Sequence, residues 1–536
     1  MYFKNLTSFA FLCATCAFST VQAQQKNQTQ QNLPVNWHNL SSYNSGLYGI
    51  ETDRAYKLLD SLNKKASKRV IVAVIDADLN VKHEDLQGRI WRNPKPGAKG
   101  YANDVNGWNF LGNKSGQNLV KVGTESFREY KRLKPRYDKV KADQLKTDEQ
   151  RKEYTYFKAA RTDAKINSYV SFGNYTALIT NAFSITDSVI KTMKFSKEPK
   201  VSDILKLKIQ DSLLNEQYGV VARSMYKYSE STTWKEVYAA QLAENETIQK
   251  RIKSLDDKAS PRDLIGDTES LNDKYYGNAN LFIADSYHGT FVAGLVAAVR
   301  NNGIGINGVA DSVAIMGIRA VPDGDEYDKD IALAIRYAVD NGAKLINMSF
   351  GKYFSPHSEW VNDAIRYAGK KGVLLFHAAG NEGKNIDSIA FYPSAIIKGK
   401  RADNLIRVGA STPSGEAASI SNYGASNVDV FAPGVKIRST GLDNGYQTAD
   451  GTSLATPIST GVAALIWSYY PELSAKQVKS ILFTSVTSRK GHLTNTPGKS
   501  KKQVPFEKLS TTGGIINAYQ AVKMAEELTK AKNNQF

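Results

Sequence analysis

Between residues 70 and 75 the chain runs Val-Ile-Val-Ala-Val-Ile without a polar interruption, and then meets Asp76. An unbroken β-branched run predicts a strand covered on both faces, as in parallel sheets. Two later segments share one pattern. Asp330 to Val339 has apolar residues at 331, 335 and 338/339, stops at Asn341-Gly342 and leads into Leu345-Ile346-Asn347-Met348. Trp360 to Lys371-Gly372 leads in the same way into Val373-Leu374-Leu375-Phe376. Helix, Asn/Gly stop and strand in succession describe βαβ units. The predicted fold class is α/β, a doubly wound, mostly parallel sheet. Ligands of such sheets sit beyond the carboxyl ends of the strands, where Asp76 and the Asn381 region both fall.

Residues 114–271 follow another pattern. They carry 29 Lys/Arg and 22 Asp/Glu with little Gly, and helical stretches are predicted at Asp143–Lys165, Val201–Tyr218 and Trp234–Lys253. This is an inserted helical subdomain between two parts of one α/β core. Its mixed charge predicts a solvated amphipathic bundle, and no aromatic-interleaved basic stripe marks a nucleic-acid surface.

Residues 1–23 have a cationic start at Lys4, an apolar run from Phe9 to Phe18 and a small residue at Ala23, the pattern of a signal peptide. Export to periplasm or medium is expected. Residues 24–65 are expected to form an N-terminal arm with a Gln- and Asn-rich lead at 24–32, and 523–536 a short helical, polar tail. No later stretch approaches twenty apolar residues, so no transmembrane segment is predicted. With Cys13 and Cys16 its only cysteines, both in the leader, the mature chain has no disulfide framework and no cysteine nucleophile. A formal charge of +18 over 536 residues favours weak attraction to polyanions and leaves the fold undetermined.

Four segments carry chemistry. Gly451-Thr452-Ser453-Leu454-Ala455-Thr456-Pro457 places Ser453 at the start of a long apolar helix, near free backbone N–H groups and the positive end of the dipole. A serine there is also a common N-cap. His288-Gly289-Thr290 opens a helix of small residues, and an imidazole so placed can serve as general base. Asp76 at a strand tip can orient that imidazole. Asn381, in Ala378-Ala379-Gly380-Asn381-Glu382-Gly383, offers a carboxamide to developing negative charge.

These motifs, in the order Asp, His, Asn, Ser, resemble those of the subtilisin-like serine proteases (subtilases, peptidase S8). The resemblance covers residues 66–113 and 272–522, including Phe391-Tyr392-Pro393, Phe431-Ala432-Pro433-Gly434 and Gly514-Ile515-Ile516-Asn517-Ala518. It implies the subtilisin-like fold and a serine endopeptidase with Asp76, His288 and Ser453 as triad and Asn381 in the oxyanion hole. It also implies a cis Tyr392-Pro393 bond and a substrate cleft lined by Ser349, Phe350 and Gly351 with Ala379 and Gly380. Polypeptides are the implied partners, and the oligomeric state stays open. No cofactor is required, although Asp85 and the loop at Asn302 resemble a structural calcium site of the family.

The departures are Asp78, a second carboxylate beside Asp76 expected to turn to solvent, and the 212 positions between Asp76 and His288, where the family has a few dozen. A folded insertion of that length costs little extra loop entropy. It is expected to emerge at the active-site rim, as a lid or exosite or as a plain decoration. Two other functions compete: a peptide-binding scaffold blocked by Asp78 or the insertion, and a polyanion- or envelope-binding protein.

Overall fold

The Val70–Ile75 run forms strand β1 (Val70–Asp76), in which only Ile71 is not fully buried. The computed structural model describes residues 33–257, 259–283, 286–499 and 502–533. The expected signal peptide and the lead at 24–32 lie outside the described residues. After β1 come β2 (Gly107–Asn109), β3 (Val313–Arg319), β4 (Leu345–Met348), β5 (Leu374–Ala378), β6 (Leu405–Ser411), β7 (Val430–Pro433), β8 (Thr487–Ser488) and β9 (Gly514–Ile515). They form one sheet in the spatial order β8-β9-β7-β6-β5-β4-β1-β3-β2. Its pairs are parallel apart from the edge pair β8/β9. The two predicted helices are Asp328–Asp340 and Ser358–Lys370, each ending just before a glycine of positive φ, Gly342 and Gly372. Tyr392-Pro393 is cis.

The chain lays β3 on one flank of β1 and then crosses to lay β4 on the other. The carboxyl end of β1 is therefore a topological switch point, where the connections diverge and leave a crevice. Asp76 ends β1 in register with Arg319, the last residue of β3.

The insertion is helical, with helices Glu125–Tyr137, Asp148–Asp163, Ile166–Thr192, Ser212–Ser224 and Trp234–Lys253. The expected helix Val201–Tyr218 is broken. One turn ends at Ile204, and Asp211 restarts the helix by accepting the amides of Leu213 and Leu214 at 2.9 Å, so a local N-cap overrode the apolar spacing. The insertion has two cores of its own. One packs Tyr130, Phe157 and Leu255, and the other stacks Phe183 on Trp234 at 5.5 Å.

Its roots are held by buried ions. Arg262 reaches both oxygens of Asp330 at 2.9 Å and also bonds Asp267, which pairs with Lys329. Lys352 lies 2.7 Å from Glu125 and 2.9 Å from Asp328. The short strand Lys121–Gly123 pairs with Asp323–Gly324 beside these contacts.

The arm packs firmly. Trp37 is buried with Nε1 donating to the Lys436 carbonyl at 3.1 Å, and Asn39 Nδ2 donates to Asn307 O at 2.9 Å. The expected helical, polar tail is the end of the helix Ala518–Asn533, in which Ala525 and Thr529 are buried. Glu526 there meets Lys64 at 3.1 Å and the Tyr470 hydroxyl at 3.0 Å.

His38 is buried, and neither ring nitrogen meets a hydrogen-bond partner among the described residues. Burial, with the charge of Arg300 second, pushes its pKa from 6.5 down to about 3. As pH falls between those values the unfolded chain takes up a proton that the folded chain refuses. Stability should therefore drop by up to about 1.4 kcal/mol per pH unit below 6.5. Melting temperatures of Ser453→Ala protein at pH 7 and pH 4 should differ more with His38 than with His38→Phe; equal differences would refute the assignment.

Candidate active site

Asp76 is 2% exposed at the tip of β1. Its Oδ1 accepts the Ala77 amide at 2.8 Å and faces His288 Nδ1 at 2.6 Å. His288 is the first residue of the helix His288–Ala297. That helix lies directly on the chain after β1, since a Cβ on Gly289 would stand 2.6 Å from Asp78 O. Close backbone approach is the reason for glycine here, and it fixes the imidazole over the strand end. Burial pulls the His288 pKa down, but the charge and hydrogen bond of Asp76 outweigh it, and the net shift is upward from 6.5.

Ser453 lies in the first turn of the helix Thr452–Tyr469, whose N-cap, Gly451, supplies no capping side chain. The first N–H groups of a helix have no partner within it. Two of them are used: Thr452 N donates to Asn381 Oδ1 at 2.8 Å, and Leu454 N to Gly451 O at 3.2 Å. Among the described residues no hydrogen bond takes the Ser453 amide.

Asn381 follows β5 on an exposed turn. A backbone amide can only donate, so the Thr452 contact identifies the carboxamide oxygen, and Thr452 Oγ1 adds a second bond to it at 2.9 Å. The carboxamide nitrogen is thereby turned the other way. A Cβ on Gly451 would lie 3.0 Å from Ser453 Oγ and 3.6 Å from Asn381 Nδ2. Hydroxyl and amide thus converge above a residue with no side chain. No hydrogen bond joins His288 to Ser453 among the described residues; such contacts commonly tighten only around bound substrate.

The cleft strand continues from β4. Ser349 Oγ donates to Ser453 O at 2.8 Å, tying the strand to the serine helix. The Phe350 carbonyl is taken by His377 Nε2 at 2.8 Å. Arg407 Nε, which can only donate, faces His377 Nδ1 at 3.3 Å. His377 must therefore accept at Nδ1 and carry its proton on Nε2. Burial first, then Arg407, holds its pKa well below 6.5. The amide and carbonyl of Gly351 take no hydrogen bond among the described residues. Ala379 differs from expectation: it is fully buried, and its amide and carbonyl are bonded to Val408 O and Asn422 Nδ2. The Gly380 amide is likewise engaged, by Thr452 Oγ1 at 3.1 Å.

Asp78 does not turn to solvent. It is fully buried, its Oδ1 accepts Arg319 Nε at 2.7 Å, and its Oδ2 accepts the Ile283 amide at 2.9 Å. Arg319 lies 241 positions away, and only the parallel pairing of β1 with β3 brings it near. Asp85 and Asn302 do meet, with Asn302 Nδ2 donating to Asp85 Oδ1 at 2.8 Å. The other oxygen of Asp85 accepts the Ile306 amide at 3.1 Å. Both oxygens face N–H donors, the reverse of what a cation needs. This arrangement does not fit calcium, and Asp85 instead fastens the loop.

Sequence patterns passed over Thr452, His377, Arg407, Asn422 and Arg319. Only Thr452, adjacent to Ser453, stood inside a recognised motif; the others depend on contacts between distant segments.

The chain is similar in sequence to known proteins. The thermophilic serine proteinase of Bacillus sp. (strain AK1) is 43% identical over 180 residues, 33% of this chain and 42% of that one. Subtilisin of Bacillus sp. (strain TA39) is 37% identical over 211 residues, 36% of this chain and 50% of that one. Subtilisin DY of Bacillus licheniformis is 37% identical over 223 residues, 40% of this chain and 78% of that one. The chain thus spans about half the length of the first two relatives. The profile of the Subtilase family matches residues 67–503, which include the strand of Asp76, the insertion and the helix of Ser453. The chain belongs to the subtilase family, peptidase S8.

Proposed function

We propose that the protein is an exported serine endopeptidase that hydrolyses polypeptides through an acyl-enzyme on Ser453. The observation that carries this reading is the 2.6 Å pair of His288 Nδ1 and Asp76 Oδ1 at the switch point, beside the converging Ser453 and Asn381. Family membership supports peptide hydrolysis, and the apolar leader at 1–23 motivates export.

In this mechanism Ser453 Oγ attacks the scissile carbonyl carbon and its proton passes to His288 Nε2. Asp76 holds Nδ1–H, which fixes the tautomer and stabilises the imidazolium. The oxyanion receives hydrogen bonds from Asn381 Nδ2 and the Ser453 amide. As the C–N bond breaks, the Nε2 proton goes to the leaving amine. Water then repeats the sequence on the ester and frees Ser453. The unengaged amide and carbonyl of Gly351 suit pairing with an extended substrate backbone, a mode indifferent to most side chains. Asp78, buried against Arg319, leaves the cleft clear, which weakens the scaffold alternative.

A fluorophosphonate probe should label the purified protein at Ser453, and Ser453→Ala should abolish both labelling and peptide cleavage. Labelling at another residue, or none, would refute the reading. Asn381→Ala should lower kcat by about 10²–10³-fold, the magnitude known for an oxyanion-hole donor of subtilisin itself.

His288 must be neutral to accept the serine proton. Since its pKa is raised, kcat/KM should fall as pH drops through a value above 6.5. The stabilising contribution of the pair runs oppositely: it is full below 6.5 and lost as pH rises through the folded value. Asp76→Asn should move the acidic limb of the kcat/KM profile to lower pH; an unmoved limb would exclude His288 as the titrating base.

A further inference from the structure

The segment Lys352-Tyr353-Phe354, directly after the cleft strand, is gripped from two sides. On one side stands the insertion. Lys352 is buried 2.7 Å from Glu125 in the first insertion helix, and the ring of Phe354 meets Tyr156 edge-on at 5.4 Å. Phe354 packs on the apolar cluster formed by Tyr130, Phe157 and their neighbours.

On the other side stands the turn that carries Asn381. The Tyr353 hydroxyl donates to Glu382 Oε2 at 2.6 Å and accepts from Asn422 Nδ2 at 3.0 Å. The same Glu382 oxygen accepts the Asn381 amide at 3.0 Å and Asn422 Nδ2 at 3.2 Å. Asn422 Oδ1 in turn accepts the amides of Glu382 and Lys384, at 3.2 and 2.8 Å. Lys384 Nζ lies 3.9 Å from the centre of the Tyr353 ring.

This turn needs support. It is exposed and contains two glycines of positive φ, Gly380 and Gly383, so its own backbone restrains it weakly. It also places a carboxylate next to the group meant to stabilise an oxyanion. Left loose, Glu382 would oppose the charge that forms there; bound by Tyr353, Asn422 and the Asn381 amide beside Lys384, its charge is held and spread.

We propose that Tyr353 is a positioning residue for the oxyanion hole. Its hydroxyl, acting through Glu382, holds the turn so that Asn381 Nδ2 stays aimed at the carbonyl oxygen, and the helical insertion sets where Tyr353 stands. The insertion then governs turnover from the side of the cleft rather than acting as a mere decoration. The proposal rests on the endopeptidase reading of Ser453.

The test uses the full chain, a fluorogenic peptide and fluorophosphonate labelling. Tyr353→Phe, which keeps the ring and its packing, should lower kcat by about tenfold with KM within about twofold, since misplacement by a fraction of an ångström is costly at the reacting centre. Glu382→Ala, which removes the acceptor shared by the Tyr353 hydroxyl and the Asn381 amide, should lower kcat in the same direction. Tyr156→Ala, in the insertion, should lower kcat in the same direction. In an Asn381→Ala background Tyr353→Phe and Tyr156→Ala should each cost nothing more, because the group they position is gone. Unchanged kcat in Tyr353→Phe or Tyr156→Ala, or an undiminished further loss in the Asn381→Ala background, would overturn the proposal. A native chain that neither cleaves the peptide nor labels at Ser453 would overturn the endopeptidase reading and this proposal with it.

Discussion

Two carboxylates two residues apart, Asp76 and Asp78, are buried at the carboxyl end of β1, and neither can keep its charge there without a cation or strong donors. The fold supplies two different partners. Arg319 reaches Asp78 from the neighbouring strand with a guanidinium that can only donate. His288 reaches Asp76 from the helix above and changes charge near neutrality. One acid is thereby committed to structure, and the other is left coupled to a proton that can move. Strand register, helix placement and the return path of the insertion all serve to keep these partners apart.

The insertion obeys a similar rule. It meets the core through buried ions: Glu125 with Lys352, Arg262 with Asp267 and Asp330, and Lys329 with Asp267. Such clusters contribute little net stability, because desolvation offsets attraction. They are intolerant of misplacement, since a missing partner leaves a bare charge in the interior. The insertion is therefore held in one pose beside the cleft, although most of its surface is open to water.

Much of this was legible along the chain wherever the cause was local. The β-branched run of β1, the Asn-Gly stop after Asp340 and the helix starts at His288 and Thr452 each follow from neighbouring residues. The grouping of four distant motifs into one site came instead from resemblance, since they share the order Asp, His, Asn, Ser with the subtilases. The misses share a different origin. Asp78 looked exposed because Arg319 is remote in sequence. Asp85 and Asn302 were cation candidates through resemblance to the family's calcium site, and the backbone amide of Ile306 that claims Asp85 is not visible in a sequence. Ala379 and Gly380 were assigned to the cleft by resemblance, which does not reveal that Asn422 and Thr452 engage their backbone. Nothing near Tyr353 announced its reach to Glu382.

The second imidazole of the cleft has a consequence of its own. Burial first, then Arg407, keeps His377 neutral, and because that guanidinium can only donate, one tautomer is imposed on the ring while it clasps the Phe350 carbonyl. The floor on which a peptide would rest is thus insulated from acidity over the range in which His288 gains its charge. Two chemically identical rings, one silent and one responsive, let the site alter its reactivity without altering its shape.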